Sequence, residues 1–213
     1  MKIIPGPASK QLGEKVAQFL SVEAVPLFFK TYPDGESYVR LEGTVRNEEI
    51  AIVQTTSPPQ DTRLIQLALI ADAAKRHDAK KVTAVVPYLA YARQDRVFLQ
   101  GEAISIETVA NMLKVAGIDS LITVNVHQAK VLEKFPFPAK TVSAISILAE
   151  YFKQKGFEKA FALAPDEGAL WLVEEAKTVL NGECGYLEKH RDLYTGQITT
   201  KNKKLDVRGK VVI

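Results

Sequence analysis

The chain predicts an α/β fold in two tandem domains, each a parallel sheet flanked by helices, with the second domain begun but incomplete. Three observations lead there. Strand-length apolar runs at 50–55, 82–89, 121–126 and 160–164 alternate with helix-period stretches at 61–75, 106–115, 143–155 and 169–180. Runs that are apolar at nearly every position suit strands buried on both faces, as in parallel sheets, and the intervening helices supply the crossovers that parallel strands require. The alternation then restarts after a proline-punctuated loop at residues 135–138, which divides the chain into domains 1–140 and 141–213.

The elements follow in order. Met1-Lys2-Ile3-Ile4 leads into a Pro-Gly-Pro turn. Residues 10–20 set Leu12, Val16, Phe19 and Leu20 on one helical face, with Ser9 as N-cap. Residues 25–29 read as a strand. Tyr32-Pro33-Asp34-Gly35-Glu36 is a turn, because proline presets one torsion and glycine accepts positive φ. Residues 38–41 alternate like a half-exposed strand. The strand at 50–55 is broken by Ser57-Pro58-Pro59, after which the helix at 61–75 begins. In the second half, Ser143 can cap the helix that runs to about Lys155. The strand at 160–164 ends at Pro165-Asp166-Glu167-Gly168, and a further strand starts at 185–187 and runs into Lys189-His190-Arg191. Residues 210–213 look like the opening of a buried strand whose apolar side chains would lack a partner, so the chain is expected to be a fragment of a longer one.

With 213 residues, 46% of them hydrophobic, the chain has ample material for such a core. A net charge of +3 is too balanced to argue for nucleic acid, and no apolar run approaches the roughly 20 residues of a membrane span. The lone Cys184 excludes an internal disulfide and a cysteine-rich zinc site, so a reducing cytoplasm is the simplest setting. Walker, G-x-G-x-x-G, H-E-x-x-H and C-x-x-C patterns are all missing.

Four constellations fall in loops that follow strands. Arg93-Gln94-Asp95-Arg96 lies beyond the core strand at 82–89, on the edge where open α/β sheets bind ligands, and the planar fork of arginine suits phosphate. Tyr32, Asp34 and Glu36 sit on the turn, where carboxylates can bond an exocyclic amine and an aromatic ring can stack on a base; a plain hairpin turn would look the same. His127 follows the strand at 121–126 and can bond a phosphate or coordinate a divalent ion. Asp166 belongs to a loop that aims a carboxylate at a hydroxyl or a metal. Lys189 and Arg191 alternate on extended chain, so both project to one side, where two cations suit negative charge spread over phosphoryl oxygens. The basic stretch from Lys189 to Lys210 reads either as this anion-binding loop or as a solvated hairpin.

Taken together, Tyr32-Pro33-Asp34-Gly35-Glu36, Gln54-Thr55-Thr56-Ser57-Pro58, residues 87–96, Thr123-Val124-Asn125-Val126-His127, Pro165-Asp166-Glu167-Gly168 and Glu188-Lys189-His190-Arg191 resemble the ribose-phosphate pyrophosphokinases. The similarity covers essentially the whole chain, and Gly101-Glu102-Ala103-Ile104-Ser105 looks most like the archaeal branch. The resemblance implies two domains of the type I phosphoribosyltransferase kind. It implies pyrophosphate transfer from Mg-ATP to the anomeric hydroxyl of ribose 5-phosphate, with AMP released. Tyr32, Asp34 and Glu36 would contact adenine, often from a neighbouring subunit, so a homo-oligomer of at least two chains is expected. Arg93, Gln94 and Arg96 would hold the ATP phosphates, His127 and Asp166 would bind or orient Mg²⁺, and Lys189 and Arg191 would stabilise the transition state. No nucleic acid or membrane partner is implied.

The chain departs from the family pattern in two places. Asn125 stands where the family has Asp, and residues 130–135 replace its usual Gln-x-x-Gly-Phe-Phe. The ribose 5-phosphate loop, an Asp-Asp followed by Thr-Gly-Gly-Thr, would begin just after Ile213. The 213-residue chain alone is therefore expected to be inactive and the intact protein active. Two rivals remain: a catalytically silent homologue that assembles with active subunits and regulates them, and a type I phosphoribosyltransferase, which the Arg-Gln-Asp-Arg and Asp-Gly-Glu segments disfavour.

Overall fold

A computed structural model describes residues 1–191, 198–201 and 205–213, with side chains described for 1–188 and 205–213. The chain divides into two compact units, Met1–Val142 and Ser143–Ile213.

The first unit is built on five parallel strands: β1 (Lys2–Pro5), β4 (Glu49–Val53), β5 (Lys81–Val86), β6 (Ser120–Val124) and β7 (Ala139–Val142), hydrogen-bonded in that order. Between them run α1 (Lys10–Leu20), α2 (Gln60–Arg76), α3 (Ser105–Val115) and an antiparallel hairpin of β2 (Leu27–Thr31) and β3 (Ser37–Leu41). Successive side chains of β4 point to opposite faces, as strand geometry demands. Ile50 and Ile52 join the larger core with Leu64, Leu67 and Ile70 of α2 and Ile106 and Leu113 of α3. Ala51 and Val53 join a smaller cluster with Ala17 of α1. Helices thus cover both faces, as the apolar runs predict.

Two expectations for α1 need correction. Leu12, Phe19 and Leu20 do not form its buried face: Phe19 is 88% exposed and Leu12 44% exposed, while Gly13 and Ala17 are buried. The helix lies too close to the sheet edge for large side chains, since a Cβ on Gly13 would sit 2.8 Å from Pro5 Cα. Close approach selects small residues over a broad apolar stripe. Ser9 occupies the N-cap position but makes no side-chain cap bond; its hydroxyl accepts the Thr55 N–H instead, at 2.8 Å. The strands β1 and β7 escaped the sequence reading, β7 because only four residues separate Pro138 from Ser143.

A chain of buried amides ties the turn end of the hairpin to the sheet. Gln54, fully buried just past β4, accepts the Ala8 N–H at 3.0 Å and donates to Gln66 Oε1 of α2 at 3.2 Å. Gln66 in turn donates to Ser37 Oγ at 3.1 Å. Gly6 is a glycine because a Cβ there would fall 2.3 Å from Gln54 Oε1.

Asp119, just before β6, accepts both Lys75 Nζ at 2.6 Å and the Val82 N–H at 2.7 Å, joining α2, β5 and β6. Burial pushes its carboxyl up, but the hydrogen bonds from Lys75 and Val82 and the charges of Lys75 and Lys114 outweigh burial and hold it below the ordinary carboxylate value. A group depressed on folding contributes stability that is complete above its unfolded pKa of about 4 and is lost as pH falls through its lower folded value. Acid titration of Asp119→Asn, followed by thermal melting, should therefore show a shallower loss of Tm below about pH 4 than the wild type. Parallel curves would remove Asp119 from the acid response.

In the second unit, α4 (Ile145–Gln154) packs on α5 (Leu170–Leu180), and β8 (Phe161–Ala164) pairs in parallel with β9 (Glu183–Tyr186). Ser143 is not the N-cap of α4, contrary to expectation: that position is Ala144, which makes no side-chain cap bond, and the Ser143 hydroxyl one residue earlier accepts the Ile145 N–H at 3.1 Å and donates to Glu175 of α5 at 2.7 Å. The extended segment after Leu187 is a separate ribbon, β10 (Glu188–Arg191) paired antiparallel with β11 (Ile198–Lys201), and not a continuation of β9. The backbone of the last residues does find a partner, while the Val211 and Val212 side chains stay exposed, as expected. Val212 bridges Phe161 in parallel, and the N–H groups of Phe161 and Ile213 donate to Val211 O and Phe161 O at 2.8 and 3.0 Å. Among the described residues no helix is long and apolar enough to cross a membrane.

Candidate functional site

The strongest candidate lies at the carboxyl ends of β5 and β6. Beyond Val86 the chain is pinned by buried Thr56, whose N–H and hydroxyl both donate to Tyr88 O, at 3.0 and 2.7 Å, and whose hydroxyl accepts the Ala90 N–H at 2.8 Å. Leu89, Ala90 and Ala92 are buried and anchor the loop, while Tyr88, Tyr91 and Arg93 are exposed. Tyr91 then takes a left-handed backbone, φ +63°, unusual for a bulky residue, and its carbonyl accepts the Gln94 N–H at 3.1 Å. The resulting turn brings Arg93 and Gln94 back over the sheet edge. The Tyr91 hydroxyl donates to Asp61 in the first turn of α2. That bond, together with desolvation and the carboxylate charge, holds the phenol above its usual pKa.

From β6 the chain turns at Asn125, φ +44°, whose N–H donates to Val142 O of β7 at 2.9 Å. Buried Val126, bonded through its N–H to Thr141 Oγ1 at 3.2 Å, fixes the next step, and His127 emerges exposed. The two loops enclose a cavity of about 590 Å³ lined by Asp61, Tyr91, Arg93, Gln94, Asn125 and His127, among others. Among the described residues, no carboxylate forms an ion pair with Arg93 or with His127.

Three residues named from sequence, Arg93, Gln94 and His127, therefore meet in one cleft. The others lie elsewhere. Arg96 does not line the cleft; its guanidinium lies 4.9 Å from the centre of the Phe98 ring. Tyr32, Asp34 and Glu36 occupy the exposed β2–β3 turn, outside the lining of the cleft. There Glu36 O accepts the Tyr32 N–H at 2.8 Å, Gly35 has φ +95°, and Asp34 Oδ1 accepts the Glu36 N–H at 3.2 Å. The Tyr32 ring meets Tyr38 edge-on, with Lys30 Nζ 4.3 Å above it. In the second unit, half-buried Asp166 stands in extended backbone before the single turn Glu167–Ala169. Lys189 and Arg191 pair through their backbones with Thr200 and Ile198, and their side chains lie outside the described residues.

Sequence reasoning assigned no role to two residues that line the cleft, Asp61 and Tyr91, although Tyr91 belongs to the 87–96 segment. An acidic residue in the first helical turn after Ser-Pro-Pro was an available signal, but it reads equally as ordinary favourable charge at a helix N-terminus. Among the described residues, no three His, Cys, Asp or Glu side chains gather as a metal cage.

The first unit is an α/β fold, a parallel sheet flanked by helices, with an arginine, an amide and an imidazole at the carboxyl edge where open sheets of this class place their ligands. A family model for the N-terminal domain of ribose phosphate pyrophosphokinase matches residues 1–117. Proteins named ribose-phosphate pyrophosphokinase from Saccharolobus solfataricus and Methanobrevibacter smithii are 41% and 40% identical to it. The first match spans 100% of this chain and 73% of the relative, the second 97% and 68%. The crystal structure of phosphoribosylpyrophosphate synthetase from Mycobacterium smegmatis superposes with a TM-score of 0.83 at 28% identity, over 99% of this chain and 69% of that one. The chain belongs to the ribose-phosphate pyrophosphokinase family and is an enzyme of that family.

Proposed function

We propose that the protein transfers pyrophosphate from Mg-ATP to the anomeric hydroxyl of ribose 5-phosphate, giving phosphoribosyl pyrophosphate and AMP for nucleotide biosynthesis. The observation that carries this reading is the cleft in which Arg93, Gln94 and His127 converge. In the reaction the anomeric oxygen attacks the β-phosphorus, the bond from that phosphorus to the α-phosphate oxygen breaks, and AMP leaves with the electron pair. The hydroxyl proton passes to solvent. Such a transfer asks for in-line positioning and charge neutralisation, not for a covalent nucleophile. Arg93 and Gln94 bind the triphosphate, with Arg96 on the same loop, while Lys189 and Arg191 neutralise charge that develops at the β-phosphorus.

Mg²⁺ is typically held by one or two protein groups plus substrate phosphates and water, a share that one carboxylate and one imidazole can supply. His127 and Asp166 would hold or orient it, and when bound it would supply positive charge to offset that of the phosphates. Tyr32, Asp34 and Glu36 select adenine in a cleft of a neighbouring subunit, which makes the working protein a dimer or larger. Two chemically defined substrates, ATP and ribose 5-phosphate, follow, and a cytoplasmic setting suits both.

The decisive assay is AMP release from ATP by the full-length protein, dependent on both ribose 5-phosphate and Mg²⁺. Normal assembly without release would favour the second reading, a silent homologue that regulates active subunits. Asn125, in place of the family's acid, is the observation on that side. Its φ of +44° gives the amide a backbone reason, because asparagine tolerates left-handed geometry.

Base selection offers a separate check. Because Asp34 also braces the turn through the Glu36 N–H, Glu36→Gln is the cleaner variant. It should narrow the preference for ATP over GTP by roughly 10-fold, on the scale of one charged hydrogen bond. An unchanged ratio of kcat/KM values would move the base site elsewhere.

A further inference from the structure

Gln94 is already held before any ligand arrives. Its amide nitrogen donates to Glu102 Oε2 at 3.2 Å and to Arg96 O at 3.4 Å. The same Oε2 accepts the N–H groups of Phe98 at 2.8 Å and Leu99 at 3.0 Å. Three donors therefore converge on one carboxylate oxygen. Residues 95–101 contain neither helix nor strand, and Gly101 takes φ +93° to return the chain toward α3. The Glu102 N–H donates to Leu99 O at 3.2 Å, so the carboxylate and its own backbone close the loop together. The two backbone bonds, followed by the Gln94 contact, keep the Glu102 carboxyl below its usual range despite partial desolvation.

The chemistry of an amide makes this contact informative. A carboxylate only accepts, so it must face the NH₂ end of Gln94 and not the carbonyl. One amide hydrogen goes to Glu102. The other goes to Arg96 O across the longer, weaker contact, and a phosphate oxygen can displace it. Were the amide free to rotate by half a turn, its carbonyl oxygen would meet the triphosphate instead, and two acceptors would oppose each other.

We propose that Glu102 is a positioning residue for the reaction: it fixes the rotamer and amide orientation of Gln94 so that an N–H, and not the carbonyl oxygen, meets the triphosphate. The inference rests on the ATP-binding reading of the cleft. It assigns a role to a side chain that does not line that cleft.

The test is a double-mutant cycle in the full-length protein, with Glu102→Ala, Gln94→Ala and the pair, read by calorimetric Kd for Mg-ATP, by KM and kcat, and by Tm. Each single variant should weaken ATP binding by roughly 5- to 10-fold with kcat changed less than about two-fold. The pair should be no worse than Gln94→Ala alone, because Glu102 acts through Gln94. Glu102→Gln, whose carbonyl can still accept the Phe98 and Leu99 N–H groups, should recover most of the Tm but only part of the affinity. An unchanged Kd in Glu102→Ala would overturn the proposal, as would additive losses in the pair. A fall in kcat and Tm together with Kd intact would also overturn it. Wild-type protein that binds no Mg-ATP would be a different failure, that of the ATP reading itself, visible before any variant is made.

Discussion

Arg93→Ala should lower kcat/KM for ATP by roughly 10²- to 10³-fold and leave the melting temperature near that of the wild type. The reasoning starts from the backbone. Buried Ala92 and the Tyr91 turn present Arg93 to the cleft, and no described carboxylate competes for its guanidinium. An arginine that is not already neutralised can give its full fork to a phosphate, as two parallel charge-assisted bonds. At about 1.5–2 kcal/mol each, the pair is worth roughly 3–4 kcal/mol, which sets the predicted factor. Arg93→Lys should recover only a small part, because a point charge cannot reproduce the bidentate geometry. The side chain is exposed, so its loss leaves no buried cavity and the fold should survive. Steady-state kinetics with a parallel melting curve decide the matter. Unaltered kcat/KM would remove Arg93 from the site, and a large fall in Tm would mean the loss was structural.

Gln54→Ala should destabilise the first unit by about 2–4 kcal/mol, measured by denaturant titration. Part of the loss is the void left by a fully buried side chain. The larger part is orphaned hydrogen bonding: the Ala8 N–H loses its acceptor, and Gln66 Oε1 loses its donor, deep in a site with little access to water. Gln66 also carries Ser37 at the turn end of the hairpin, so amide exchange in β2 and β3 should quicken beyond what global destabilisation gives. Gln54→Leu separates the two causes. It refills the volume without restoring the bonds, and should remain at least 1 kcal/mol below the wild type. A loss under about 0.5 kcal/mol in Gln54→Ala would show that repacking or water satisfies both groups.

Much of this fold is written locally. The strands β4, β5, β6 and β8 are apolar at nearly every buried position, and α3 and α4 carry a helical apolar period that α2 lacks, so most of the architecture follows from pattern. What the pattern misleads on is α1. There Phe19 and Leu20 satisfy the helical period yet face outward, because the approach of Pro5 to Gly13 is a tertiary fact with no period of its own. The site divides in the same way. Arg93 and Gln94 announce themselves by following a core strand, and His127 does likewise. Asp61 and Glu102 are single acids in unremarkable positions, and their hold on Tyr91 and Gln94 comes from contacts across 30 and 8 residues that no local window records. Tyr32, Asp34 and Glu36 are legible as a turn, but the turn pattern itself carries no sign of what the turn serves.

The reversed torsion at Asn125 carries one more consequence. It falls on the residue immediately after β6, where the ladder to β7 closes. Such a reversal acts as a stop: the strand can neither grow by a residue nor slide by one without undoing it. The lip of the cleft is thereby indexed to the sheet, so insertions in the long loop toward β7 can accumulate over evolutionary time while the imidazole two residues on keeps its address.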